Sequence, residues 1–262
     1  MEQNGEIRVE MRSRSETGQV AFVTIAHERK LNTLNAPLMR RFIEAVQALS
    51  AEPDLRAVVL TGAGEKAFVG GADIGEMAAI PDGDAARAFI TLVHGCCRAV
   101  RDCPVPVIAR VNGWTLGAGL ELAAACDLRI AAETAQFGMP EVRVGIPSVV
   151  EAALLPGLIG WGRTRRLLLL GETISAAEAL DWGLLERVVP PAGLDGAVEE
   201  WLAHLGAAGP LAIRNQKTLI RQWEDLPLGQ AIAAGIPAFA RSWESDEPRR
   251  MMRHFLDRPR RR

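Results

Sequence analysis

The chain has 262 residues, 48% of them hydrophobic and 24% charged, which is typical of a globular protein with one sizeable core. A formal net charge of −2 gives no overall attraction to nucleic acid or to an anionic membrane surface. The polar N-terminal stretch MEQNGEIRVEMRSRSETG lacks the apolar centre of a signal peptide, and no apolar run is long enough to span a membrane. We therefore expect a cytoplasmic protein that binds neither nucleic acid nor membranes.

The cysteines predict free, mostly buried thiols in a reducing compartment, because none of them forms a CxxC pair. They are Cys96, Cys97, Cys103 and Cys126. The spacing of the histidines suggests neither a base for a nucleophilic cysteine nor a set of metal ligands, and only His94 lies near a cysteine. We expect no bound metal.

Strands and helices alternate through the first part of the chain. An apolar, β-branched run over residues 18–26 predicts a strand, and a helix capped by Asn35 follows, with apolar residues at helical spacing. The next predicted elements are a strand over 55–64, a loop over 67–77, a helix over 84–103 ended by Pro104, a strand over 105–113, the helix that contains Glu121, and short strands and turns over 127–147. This alternation predicts an α/β fold with parallel strand pairing.

Strand patterns end near residue 191, and the rest of the chain is helical in pattern. The predicted helices cover 193–209, 210–223, 226–243 and 245–257. We therefore predict an α/β core over residues 1–200 and a helical region over 201–262. Ile232, Ile236 and Phe239 form an apolar face that suits either a subunit contact or packing on the chain's own core. The basic tail RPRRR is interpreted as a solvated end, with a phosphate contact as the alternative.

One carboxylate interrupts an otherwise apolar helix, in the stretch GWTLGAGLELAAACDLRIA. Glu121 lies in the first turns of that helix, and a buried carboxylate costs several kcal/mol unless it is paired, hydrogen-bonded or protonated. It could complement the helix dipole, or it could be an acid placed for chemistry. A second carboxylate, Glu141, also lies beside glycine-rich backbone, but sequence spacing alone does not bring the two together.

Two glycine-rich loops follow predicted strands. FVGGADIGEM places Gly70 and Gly71 together, and NGWTLGAGLE places Gly117, Ala118 and Gly119 at a helix start. Each could be a plain turn. Both could also expose backbone N–H groups that together hold one developing oxyanion.

A nucleotide-binding interpretation is disfavoured. Gly62, Gly64 and Ala67 fit the spacing G-x-G-x-x-A after a strand, but no helix pattern begins at that turn. Lys66 is not followed by Ser or Thr, so the stretch is not a Walker loop either.

Four stretches, in this order, resemble the crotonase superfamily of enoyl-CoA hydratases and isomerases, over about residues 20–256. They are ERKLNTLN, AVVLTGAGEKAFVGGADIGEM, PVIARVNGWTLGAGLELAAACDLRIAAETAQFGMPEVRVGIP and LLLLGETISAAEALDWGLLERVVP. The resemblance implies a spiral of ββα turns and a C-terminal helical region that covers the active site and builds homotrimers, often paired into homohexamers. It also implies acyl-CoA thioester substrates, with coenzyme A as part of the substrate and no separate cofactor.

The resemblance assigns roles residue by residue. Ala72 and Ala118 match the two backbone N–H donors to the thioester oxygen, the oxyanion hole. Glu121 and Glu141 match the two catalytic glutamates of the hydratases. Contacts to coenzyme A and substrate are implied for Arg29, Lys30, Leu31, Gly70, Asp73, Ile74 and Gly117.

These matches imply an enoyl-CoA hydratase. The two amides would stabilise enolate-like charge on the thioester oxygen, ionised Glu121 would activate water to attack C3, and protonated Glu141 would deliver a proton to C2. Which glutamate holds the proton at rest stays open, because the two titrations are coupled. Another crotonase reaction (isomerisation, retro-aldol cleavage or thioester hydrolysis), an RNA-binding protein on this scaffold, and an inactive structural subunit are the alternatives.

Two departures from the family pattern are visible. Ala118 replaces a common glycine, which is harmless unless a positive φ is needed there. The segment GIPSVVEAALLP stands where these hydratases usually have a glycine-rich PGAGGTQRL, so residues Ser148 to Glu151 are bulkier and the wall near the acyl chain should differ. Glu151 adds a third acid, interpreted first as structural, with a catalytic role as the alternative.

Overall fold

The computed structural model describes residues 5–14 and 18–257, so the basic tail lies outside the described residues. The strands are β1 (Glu6–Ser13), β2 (Gln19–Ala26), β3 (Leu55–Gly62), β4 (Ala67–Val69), β5 (Val107–Val111), β6 (Trp114–Leu116), β7 (Leu128–Ala132), β8 (Gln136–Gly138), β9 (Thr173–Ser175) and β10 (Arg187–Val189). The α-helices are α1 (Ala36–Ser50), α2 (Ile74–Ala78), α3 (Gly83–Asp102), α4 (Ala118–Ala125), α5 (Leu155–Leu170), α6 (Ala176–Trp182), α7 (Leu194–Ala207), α8 (Pro210–Asp225), α9 (Leu228–Ser242) and α10 (Glu247–Leu256).

Within the described ranges, the strands form two sheets. The larger has the order β1-β2-β3-β5-β7-β10, and the smaller has the order β4-β6-β8-β9. All neighbouring pairs are parallel except β1 with β2 and β8 with β9. Strands β3 and β4, β5 and β6, and β7 and β8 each place one strand in each sheet before the chain enters a helix. The predicted α/β fold of successive ββα turns is therefore confirmed.

The main core lies between the two sheets and helices α1, α3 and α4. Asn35 caps α1, its side chain accepting a hydrogen bond from the Leu38 amide at 2.9 Å, and the apolar stripe of α1 is buried as its spacing predicts. Helix α3 ends at Asp102, just before Pro104, also as predicted. The four cysteines are buried and free.

One prediction about local structure was wrong. Residues 67–77, expected to be a loop, contain the short strand β4 and the one-turn helix α2, because Asp73 caps α2 by accepting from the Glu76 amide. The polar lead, for which no element was predicted, forms β1. It is an edge strand, mostly exposed and paired with β2, so its sequence carries no buried face to recognise.

The C-terminal part is helical, as predicted. The boundary expected at residue 200 falls inside α7, whose apolar residues Leu194, Val198 and Leu202 pack against the outer face of the larger sheet. Helix α8 is attached through Lys217, which is buried and donates to the Val105 carbonyl at 2.9 Å and to Asp127 at 2.7 Å.

The apolar face of α9 does not pack on the chain's own core. Ile232, Ile236 and Phe239 are each at least two-thirds exposed, which leaves this face available to another molecule. Among the described residues, no helix combines the length and the apolar character needed to cross a membrane.

Candidate active site

A cavity of about 120 Å³ lies where the two glycine-rich loops approach helix α3. Its lining is mostly apolar: Gly70, Gly71, Ala72, Ile74, Met77, Phe89, Ile90, Val93, Leu116, Gly117, Ala118, Pro140, Val144, Ile146, Pro147 and Val149. The polar exceptions are Glu121 and Glu141, so the structure brings together the two acids that sequence spacing could not. Because few polar groups converge in an apolar pocket, the cavity is the best candidate for a ligand site.

Glu121 projects from the first turn of α4 and is only 4% exposed. Its Oε1 accepts a hydrogen bond from the Ala152 amide at 3.2 Å. Burial, reinforced by the negative charge of Glu141, raises the pKa of Glu121 to about 8, although the Ala152 amide acts in the opposite direction. The effect of burial on the pKa therefore outweighs that of the helix start, which favours a negative charge. Glu121 is mainly protonated at neutral pH.

Glu141 is the second residue of the 3-10 helix Pro140–Val144, which we call turn A. Its Oε2 accepts a hydrogen bond from the Ser148 hydroxyl at 2.8 Å, a contact that was not predicted. Gly117 makes room for the other oxygen, because a Cβ at Gly117 would lie 2.4 Å from Glu141 Oε1. Gly117 also has φ +51°, a conformation that side-chain-bearing residues rarely adopt.

Ala72 and Ala118 line the same cavity. Ala118 is the first residue of α4, where a backbone N–H has no acceptor within its own helix. Ala72 forms a parallel β-bridge with Leu34. The Leu34 amide donates to the Gly71 carbonyl, and the Asp73 amide donates to the Leu34 carbonyl. The Ala72 amide therefore faces away from Leu34. Ala118 does not have a positive φ, so replacement of the family's glycine is compatible with this backbone.

The predicted coenzyme A and substrate residues fall into two groups. Gly70, Ile74 and Gly117 line the cavity, whereas Arg29, Lys30, Leu31 and Asp73 do not. Arg29 and Leu31 border an adjoining surface depression. Lys30 forms a 2.7 Å ion pair with Asp73, and that contact lowers the pKa of the Asp73 carboxyl. Asp73 is thereby engaged by Lys30 and by its capping of α2, on the rim of the site.

Helix α3 contributes residues that the sequence reasoning missed. Phe89, Ile90 and Val93 form one wall of the cavity. They belong to the apolar stripe of a regular amphipathic helix, so only the packing of α3 beside the loops distinguishes them from ordinary core positions. Among the described residues, no group of three or more His, Cys, Asp or Glu side chains is arranged to hold a metal ion.

Comparisons with known proteins identify the family of this chain. Residues 15–261 match the family described as enoyl-CoA hydratase/isomerase. A short-chain-enoyl-CoA hydratase from Clostridium acetobutylicum is 35% identical over 92% of each chain, and a crotonyl-CoA hydratase from Syntrophomonas wolfei is 34% identical over the same shares. The crystal structure of an enoyl-CoA hydratase from Bacillus anthracis superimposes with a TM-score of 0.89 at 33% identity, covering 97% of this chain and 96% of the other. The chain therefore belongs to the enoyl-CoA hydratase/isomerase family.

Proposed function

We propose that the protein is an enoyl-CoA hydratase, which adds water across the 2,3 double bond of a trans-2-enoyl-CoA. The observation that carries this proposal is the convergence of Glu121 and Glu141 on one apolar cavity that Ala72 and Ala118 also line. The hydratase names of the relatives support it. Coenzyme A enters as part of the substrate, and we propose that no other cofactor is needed.

In the proposed reaction, two backbone amides stabilise the developing charge on the substrate. Backbone N–H groups from Ala72 and Ala118 would stabilise the negative charge that develops on the thioester oxygen, and loss of one such donor typically costs about 3–4 kcal/mol. The Glu121–Glu141 pair works with a single proton, which lies on Glu141 in the reactive arrangement. Glu121 is then ionised and takes a proton from water as the water oxygen attacks C3, while Glu141 delivers its own proton to C2. The elements of one water molecule are thereby added across the double bond, and the proton left on Glu121 returns to Glu141 before the next turnover.

This mechanism has a consequence for pH. Since Glu121 holds the proton of the pair up to about pH 8 in the free protein, the singly protonated pair that the reaction needs is present at neutral pH and is lost above about pH 8. We expect kcat/KM for hydration to decrease as the pH rises through this region, because a fully ionised pair has no proton to deliver to C2 and that parameter reports ionisations of the free enzyme.

The cavity favours a short acyl chain. Its volume of about 120 Å³ is small beside the roughly 300–1,000 Å³ of typical ligand pockets. Val149, from the bulkier segment Ser148 to Glu151, lines the cavity beside Ile146 and Pro147, which supports the expectation of an altered acyl wall. We propose a short enoyl group of about four carbons as the substrate class.

The test is the loss of enoyl absorbance when purified protein is mixed with crotonyl-CoA. We expect turnover by the wild type and by the control Glu133→Gln, an exposed site with the same chemical change. Glu121→Gln and Glu141→Gln should each lose at least about 100-fold in kcat, a typical loss for a general acid or base. Turnover that survives in both variants would refute the two-glutamate mechanism. A wild type that binds crotonyl-CoA without turnover would indicate another crotonase reaction.

We also propose that the protein is a homo-oligomer, a trimer or a pair of trimers, assembled through the C-terminal helices. The support is the exposed α9 face, which carries Ile232, Ile236 and Phe239. Among the described residues, those after Val149 do not line the cavity, so the predicted cover over the site is not provided within one chain. Light scattering on the eluted protein should give three or six times the chain mass, and Ile236→Asp should lower it. A monomeric wild type would refute the assembly.

A further inference from the structure

A third buried carboxylate lies behind Glu121, outside the cavity lining. Glu151 belongs to the 3-10 helix Val150–Leu154, which we call turn B, and is 7% exposed. Its Oε1 lies 2.8 Å from Nδ1 of His94 on α3, and the His94 side chain is 45% exposed. Its Oε2 is buried without a hydrogen-bond partner among the described residues. The proposed mechanism does not use this pair, and a buried, half-satisfied carboxylate is costly to retain.

Turn B connects Glu151 directly to the catalytic carboxylate. The residue after Glu151 is Ala152, and its amide donates the hydrogen bond to Glu121 Oε1. Val150, just before, has φ +40°, a strained conformation for a β-branched residue that persists only where the surroundings hold it. The His94–Glu151 bond is one such restraint, because it ties turn B to α3. The charge of Glu151 also acts on Glu121, since it raises the pKa of that carboxyl further.

We propose that His94 and Glu151 are a positioning pair that controls the ionisation of Glu121 from behind the cavity. This inference rests on the proposed function. An ionised Glu151 opposes a second negative charge on Glu121, and the contact with His94 fixes where the Glu151 carboxylate lies relative to Glu121. Neither residue touches the cavity, so neither is a catalytic residue.

The other titratable groups in this region do not compete with the pair. Cys96 and Cys97 face it from α3, and burial, reinforced by Glu151, raises the pKa of each thiol, so both stay neutral over the working pH range. Glu141 faces Glu121 from turn A and is already part of the mechanism. The charge behind Glu121 is therefore that of Glu151, which His94 holds in place.

The test is a carboxyl titration of the free, full-length protein by 13C NMR, in which the signal missing from Glu121→Gln identifies Glu121. We expect Glu151→Gln to move the Glu121 midpoint down by about one pH unit, because one negative neighbour is lost. His94→Gln should move it up, because the restraint on turn B is lost and with it the Ala152 hydrogen bond that favours ionised Glu121. Glu133→Gln, exposed on another segment, is the charge-matched control. The high-pH limb of kcat/KM for crotonyl-CoA should move in the same directions.

A merely structural role predicts a different result. If the pair only held turn B, both variants would loosen the Ala152 amide, and both midpoints would rise. Shifts in the same direction, or no shift in either folded variant, would overturn the proposal. If Glu151→Gln does not fold, His94→Lys provides the test. A fixed positive charge at this half-exposed site should lower the Glu121 midpoint, which His94→Gln should raise. The NMR titration requires no turnover, so a failure of the proposed hydratase activity would be seen separately.

Discussion

The buried acid at the centre of the site should make the protein less stable as the pH rises. In the folded chain the pKa of Glu121 is about 8, against 4.5 for an unperturbed carboxyl. The unfolded chain therefore releases this proton near pH 4.5 and the folded chain only near pH 8, so increasing pH between these values favours the unfolded state. At about 1.36 kcal/mol for each pKa unit, the folded state loses roughly 4 kcal/mol between pH 5 and pH 9.

Glu121→Gln removes this titration while it keeps the shape of the side chain. We expect the variant to gain stability relative to the wild type as the pH increases from 5 to 9, by roughly 4 kcal/mol in total. Urea unfolding followed by circular dichroism, at one fixed protein concentration and at each pH, measures the difference. Glu133→Gln, an exposed site, is the control and should show no such trend. A constant difference between Glu121→Gln and the wild type across this range would refute the assignment of a raised pKa to Glu121.

Four further results are expected. Gly117→Ala should reduce kcat by about 100-fold, because its Cβ would lie 2.4 Å from Glu141 Oε1 and would displace that carboxylate. Ser148→Ala should reduce kcat by about tenfold, since it removes the 2.8 Å hydrogen bond that orients Glu141. Lys217→Met should cost about 2–4 kcal/mol in urea unfolding, because it leaves Asp127 without its buried partner. Lengthening the acyl chain from four to ten carbons should lower kcat/KM, because the cavity is only about 120 Å³.

Matched control variants distinguish these expected effects from a general loss of structure or activity. Gly196→Ala adds the same methyl group where a Cβ meets nothing within 4 Å, so it should leave kcat unchanged. Lys66→Met makes the same substitution at an exposed position and should leave the unfolding free energy almost unchanged. Wild-type kcat in Gly117→Ala or in Ser148→Ala would show that the position of Glu141 does not limit the rate. An equal kcat/KM for four and ten carbons would show that the chain lies outside the cavity.

Periodic elements could be predicted from the sequence because their signal is local. The stripe of Leu38, Phe42 and Val46 identified α1, and the buried, β-branched run over residues 55–64 identified β3. Elements that depend on partners could not be identified in this way. β1 is a strand because it pairs with β2. Helix α2 is a single turn that the Asp73 cap stabilises.

In the candidate site, too, some features could be predicted from the sequence and others could not. Its two acids and two glycine-rich loops could be named from residue type and from the resemblance, because each is visible within a short stretch. The wall formed by Phe89, Ile90 and Val93 could not, since apolar residues on a helix look alike whether they face a core or a ligand. The contact of Ser148 with Glu141 was also not predicted, because it depends on how the chain returns after turn A.

The sequence by itself determined the α/β order of elements, the helical C-terminal part, and the presence of a carboxylate in an apolar helix. Only the tertiary structure decided what that carboxylate does. The pKa of Glu121 depends on its burial, on the charges of Glu141 and Glu151, and on the Ala152 amide. These groups come from segments up to 31 residues away in the chain. Electrostatic interaction depends on distance and burial in space, which spacing along a sequence does not contain.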